Sequence, residues 1–165
     1  MFQHRQTYAF KKTITLINTH LLAGVLGVAL GIYLLPILTA PTAPAASEIS
    51  NLSSQAQYSG EFQKNLEGSD FLHWGEGKVS LSPTTITLMG KLAPGPDYKL
   101  YLSPKFVETE AAFNQEKTNI VLVGDVKTFN NFVVDVPQNI DITKYDTVIV
   151  WCESFGQFIT AAKYQ

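Results

Sequence analysis

The sequence predicts an all-β fold, an antiparallel β-sandwich or barrel-like module, preceded by a single N-terminal transmembrane helix. Three observations predict it. A stretch near the N-terminus is apolar over about 20 residues, the length that crosses a bilayer as a helix. Beyond Gly77 short runs alternate apolar and polar side chains with the period of a strand. Gly, Pro, Asn and Asp interrupt those runs about every ten residues, the spacing of a sandwich or barrel. The chain then divides into a basic cytoplasmic tail (1–12), a signal-anchor helix (13–40), a flexible linker (41–57) and a β domain (58–165).

The membrane segment comes first. "HLLAGVLGVALGIYLLPILTA" is almost wholly apolar from Leu21 to Leu38, and no charged residue stands between His20 and Glu48. Arg5, Lys11 and Lys12 precede it, so the positive-inside rule puts the N-terminus in the cytoplasm and everything after Ala40 outside. "PTAPAAS" also offers small residues at Ala43 and Ala45 in the spacing a signal peptidase accepts, and a cleaved signal is the competing reading. An apolar stretch of this length exceeds the usual core of a signal peptide and favours an anchor. Both readings make the C-terminal domain periplasmic or extracellular.

Residues 39–58 are rich in Pro, Ala, Ser and Gln and read as a tether with too little apolar surface to fold. The strands follow: "GKVSLS", "TTITLMGKL", "DYKLYLSP", "NIVLVGDV", "FNNFVVDV", "YDTVIVWCESF" and "QFITAAKY". Only "ETEAAFNQEK" has a helical texture, and a long loop is the alternative. In the seventh run Val148, Val150 and Cys152 share one face, while Ile149, Trp151 and Glu153 share the other. Both faces start apolar, which predicts a central strand covered on both sides.

Composition excludes several functions. Three of the 12 Lys and Arg residues lie before residue 47, leaving nine against all 14 acidic residues in the rest. A domain of that sign has no footprint for nucleic acid. One cysteine makes no internal disulfide and no CxxC, and without CxxCH there is no c-type haem attachment. His73 is the only histidine in the domain, and hydrolysis by a Ser-His-Asp triad is not expected. Asp125, Asp135, Asp141 and Asp146 are too dispersed for a calcium loop.

The ordered set "HWGEGKVSL", "LAPGPDYKLYLSP", "IVLVGDVK", "VPQNIDITKYDTVIVWCESF" and "FITAAKY" resembles the DM-thirteen domain, in its membrane-anchored bacterial form, from about Tyr58 to Tyr164. The resemblance implies a small extracytoplasmic β module with a role in electron transfer. It further implies that Cys152, which follows Trp151 as the family's cysteine follows a tryptophan, is a redox thiol or a cofactor ligand. His73 stands where the family often has an early histidine. Cys152 with His73 would suit haem or copper, the candidate cofactors. Two departures stand out: Asn130-Asn131-Phe132 replaces a glycine and a tyrosine, and Phe158-Ile159-Thr160-Ala161 replaces Phe-Gly-x-Ala.

Each candidate has a plainer reading. A lone cysteine beside Trp151 and Glu153 is as readily core, because a neighbouring carboxylate raises a thiol pKa. A lone histidine in "DFLHWGEG" is more often a capping residue. "PGPD" reads as a turn in which Pro fixes φ, Gly95 takes positive φ and Asp97 bonds back to the backbone. The expected function is a membrane-anchored, extracytoplasmic redox domain acting through Cys152 with a redox partner protein, and not as a stand-alone enzyme. The alternative is a non-catalytic envelope binding or adhesion module in which Cys152 is structural, and a third outcome is a disulfide between two copies.

Overall fold

The computed structural model describes residues 2–165; Met1 and the side chains of residues 2–9, including His4 and Arg5 of the basic tail, lie outside the described residues. The chain forms two compact units, one up to Leu35 and one from Pro36 onward. The first is built on helix α1 (Phe2–Thr39), whose segment Phe10–Thr39 is long and apolar enough to cross a membrane. That is longer than the apolar core read from the sequence, because Phe10, Ile14, Leu16 and Ile17 extend the apolar run towards the N-terminus.

The second unit begins with a departure from expectation. Residues 41–57 are expected to be a flexible linker, yet Ala46–Ser53 form helix α2. Its one fully buried side chain is Ile49, and the Ser53 hydroxyl lies 3.2 Å from that of Thr87 on the sheet below. Burying one isoleucine contributes about 1.5–3 kcal/mol towards holding this short helix on the sheet. A composition average does not register one well-placed apolar residue.

The strands are β1 (Tyr58–Phe62), β2 (Gly75–Leu81), β3 (Thr85–Leu92), β4 (Tyr98–Ser103), β5 (Val121–Val126), β6 (Asn130–Asp135), β7 (Thr147–Cys152) and β8 (Gln157–Lys163), with helix α3 (Glu110–Glu116) between β4 and β5. All seven runs expected from the sequence are strands, and β1 was not among them. They form two antiparallel four-stranded sheets, ordered β1-β2-β3-β6 and β5-β4-β7-β8. The edges approach each other closely: a Cβ on Gly60 of β1 would come within 2.6 Å of the Lys163 carbonyl oxygen on β8. The sandwich is therefore barrel-like at that edge, which leaves little of β1 open to pair with another chain.

Inward faces supply the main core. Tyr98, Leu100 and Leu102 of β4 pair with Cys152, Val150 and Val148 of β7, and all six are buried in one cluster with Val79, Leu81, Ile86 and Leu88 of the first sheet. β7 is buried at every position, as the apolar start of both its faces predicts. Its other face, carrying Ile149 and Trp151, is buried in a second cluster with Phe158 and Ala161 of the adjacent β8 and with Val107 and Phe113. Helix α3 supplies Phe113: Thr109 caps it by accepting from the Ala112 amide at 3.1 Å, and the first turn swings Phe113 onto the sheet.

One core atom is unsatisfied. The hydroxyl of Thr160, on β8, is fully buried without a hydrogen-bond partner among the described residues. A buried unpaired hydroxyl costs about 1–3 kcal/mol, so the isosteric Thr160→Val should stabilise the full chain by about 1 kcal/mol in urea denaturation. An unchanged or lowered midpoint would contradict this account of the Thr160 hydroxyl.

Candidate functional site

Antiparallel pairing places Cys152 opposite Tyr98, at the end of the sheet where β4 begins and β7 ends. The turn before β4 (Pro94–Asp97) and the turn after β7 (Glu153–Gly156) therefore meet there. A register shift between Val150 and Trp151 bulges the β7–β8 pairing just ahead of Cys152, the kind of irregularity that re-aims side chains at a sheet end. The "HW" segment reaches the same end, because the Ala93 amide donates to the Trp74 carbonyl at 2.9 Å.

Cys152 is a free, buried cysteine, 3% exposed. Its Sγ–H donates to the Pro96 carbonyl at 3.0 Å. Burial pushes its pKa above 9.0, and the charges of Asp97 and Glu153 push the same way; the Phe155 and Ser154 amides only partly oppose them. The resting state is a sheltered neutral thiol under a loop. Among the described residues, no cation or imidazole is bonded to the sulfur to favour a thiolate at neutral pH.

The loop over the sulfur is pinned by Asp97, whose φ of 53° lies in the left-handed region. The turn pattern predicts positive φ at Gly95; it falls instead at Asp97, a residue type that tolerates it. Gly95 is needed for another reason: a Cβ there would run into the Tyr98 phenol. The Asp97 carbonyl accepts from the Glu153 amide at 3.1 Å, tying the two turns together. Its carboxylate accepts from the Ser154 hydroxyl at 3.2 Å and pairs with Lys99 at 3.0 Å, while Lys99 also pairs with Asp125 at 2.7 Å. Hydrogen bonds to Asp125 and Asp97 raise the Lys99 pKa. Asp125, too dispersed from the other aspartates for a calcium loop, is thus an ion-pair partner.

His73 is held elsewhere. Its Nδ1 lies 2.9 Å from an Asp70 carboxylate oxygen, and the other Asp70 oxygen accepts from the Leu72 and His73 amides at 2.7 and 2.8 Å. Burial opposes ionisation of Asp70, but these hydrogen bonds and the His73 ring outweigh it and lower its pKa. Trp74 lies beneath the Lys64 ammonium, 4.1 Å from its ring centroid. His73 and Cys152 are therefore committed to different acceptors, Asp70 and Pro96. Among the described residues no group of three or more His, Cys, Asp and Glu side chains is placed to hold a metal ion.

Sequence reasoning passed over Tyr101 and Glu153. Tyr101 points to the outer face of the second sheet, where its hydroxyl donates to a Glu153 carboxylate oxygen. Its ring meets Phe113 edge to face at 5.3 Å, and Phe113 stacks on Trp151 at 3.9 Å with 6° between planes. The signal was present: Tyr101 alternates with inward Leu100 and Leu102, and Glu153 shares a face with Ile149 and Trp151. The chain's departure at Asn130–Phe132 also has a structural reason. Asn131 adopts φ 53°, its amide donates to the Pro44 carbonyl at 3.1 Å, and its side-chain oxygen accepts from Gly90 at 3.1 Å.

Two outcomes follow from this geometry. Asp97→Val should lose about 1–3 kcal/mol in thermal or urea unfolding because a β-branched residue is strained at that φ, and Asp97→Gly should lose less. Equal losses would show that backbone strain is not what Asp97 relieves. For Asp70 a lowered pKa means that its contribution is present above the usual carboxylate range and is lost as pH falls through the folded value. Hydrogen-exchange protection of the Leu72 and His73 amides should hold through the ordinary carboxylate range, where Asp70 is still ionised, and fall only at more acidic pH. Protection that stays flat into that acidic range contradicts the assignment.

No curated protein and no solved structure matches the chain. The model of the electron transfer DM13 family matches residues 61–164, which include β2 to β8, both turns over the sulfur, His73 and Cys152. The chain belongs to the electron transfer DM13 family.

Proposed function

We propose that this chain is a membrane-tethered electron-transfer domain working outside the cytoplasm, with Cys152 as its redox thiol. Family membership supports the redox role in general. The apolar helix Phe10–Thr39, preceded in sequence by Arg5, supports an anchor with the domain on the far side. The observation that carries the finer reading is the Cys152 thiol itself, donating to the Pro96 carbonyl beneath two turns joined through Asp97. Lifting the Pro94–Asp97 turn would free the sulfur and remove the loop above it in one movement. A redox partner protein docking on that end of the sandwich is the expected trigger. On this reading the thiol itself carries the redox chemistry of the domain.

A second reading is favoured by one specific observation, the buried thiol with its raised pKa. Under it Cys152 is core packing and the domain is a binding module of the envelope.

Alkylation of the full chain in detergent separates the two. The electron-transfer reading expects slow labelling of native Cys152 whose rate keeps climbing above pH 9, since the raised pKa keeps the thiolate scarce below that. Pro96→Gly should accelerate labelling without unfolding the domain. Cys152→Ala should abolish electron exchange with a partner. If exchange persists in Cys152→Ala while stability falls by about 1–2 kcal/mol, the thiol is structural and the second reading stands.

A further inference from the structure

The outer face of the second sheet carries an arrangement that the thiol reading does not use. Tyr101 on β4, Phe113 on α3 and Trp151 on β7 form a continuous aromatic contact, with Trp151 adjoining Cys152 in the chain. At its outer end the Tyr101 hydroxyl donates to the Glu153 carboxylate. Glu153 is itself positioned, because its amide donates to the Asp97 carbonyl at 3.1 Å.

Packing alone does not require that partner. A sheltered phenol needs an acceptor, and a backbone carbonyl suffices. Tyr164 in the same domain shows this: its hydroxyl donates to the Ile142 carbonyl at 2.8 Å. A carbonyl cannot take the phenolic proton, whereas a carboxylate can. Tyr101 thus differs from Tyr164 in the one property that matters for losing an electron, since a phenol gives up its electron readily only when its proton has a place to go.

We propose that Tyr101 is a proton-coupled one-electron donor, with Glu153 as its proton acceptor and the Phe113–Trp151 stack as its electronic contact with the interior. The proposal rests on the electron-transfer reading but not on the thiol. The step balances with a high-potential one-electron oxidant, a higher-valent metal centre on a partner. The Tyr101 O–H bond breaks, its proton forms an O–H bond on the Glu153 carboxylate, and its electron reduces the metal centre. A neutral tyrosyl radical faces a neutral carboxylic acid, and the reverse transfer restores both. Burial, and then the hydrogen bond to Glu153, push the Tyr101 pKa upward, so the phenol keeps its proton until the electron leaves. Both side chains are partly exposed, which lets a partner approach.

The test uses the full chain in detergent micelles, oxidised by flash-generated ruthenium(III) tris-bipyridine and followed by transient absorption and freeze-quench electron paramagnetic resonance. The wild type should give a tyrosyl radical, and Tyr101→Phe should remove most of it. Glu153→Gln keeps an acceptor oxygen but cannot take the proton, and should slow radical formation on the order of 100-fold, the low end of what a positioned proton acceptor supplies. Cys152→Ser should leave the radical in place. Full radical yield in Tyr101→Phe, or an unchanged rate in Glu153→Gln with native circular dichroism, overturns the assignment. Radical loss in Cys152→Ser but not in Tyr101→Phe also overturns it and leaves the thiol reading standing. Conversely, a Tyr101 radical alongside full electron exchange in Cys152→Ala sinks the thiol reading alone.

Discussion

The antiparallel pairing of β4 with β7 is the constraint on which the rest depends. With Tyr98 opposite Cys152 and Ser103 opposite Thr147, every inward side chain of one strand meets an inward side chain of the other. A slip of one residue would turn Cys152, Val150 and Val148 out of the core and bring Trp151 and Glu153 in. The same register brings the loop before β4 over the sulfur and puts Tyr101 within reach of Glu153. Fold and candidate chemistry are therefore specified by one set of backbone hydrogen bonds.

Electrostatics at that end favours protons that stay in place. Two acidic side chains flank the thiol and the phenol, the sulfur is buried, and Lys99, next to Tyr98 on β4, is occupied by Asp97 and Asp125. Nucleophilic thiolate chemistry is poorly served by such surroundings. One-electron chemistry coupled to proton movement is better served, because it starts from neutral, protonated donors. A domain of this construction can hold oxidisable groups while shielding them from adventitious reaction.

Much of this was legible in the sequence, for reasons that can be named. Period-two alternation marked seven of the eight strands, and the doubly apolar "VIVWC" marked the central one. β1 was missed because "YSGEF" contains a glycine and has only one fully buried residue, Phe62. α2 was missed because its order comes from a tertiary contact of Ile49, which composition does not reveal. At the site, Cys152, Trp151 and Asp97 were identifiable as residues, but not which loop would cover the sulfur. The partner of His73 was not identified from the sequence: Asp70, three residues earlier, meets its Nδ1 in a local turn. Tyr101 and Glu153, 52 residues apart, become partners only once the strand register is known.

Protein-film voltammetry of the full chain tests the central claim most directly, since it asks whether the domain itself exchanges electrons. The account predicts a reversible faradaic response from the natively folded chain. A featureless trace from protein that retains its β circular dichroism would contradict it, and would leave a tethered sandwich whose sulfur and phenol serve only to pack.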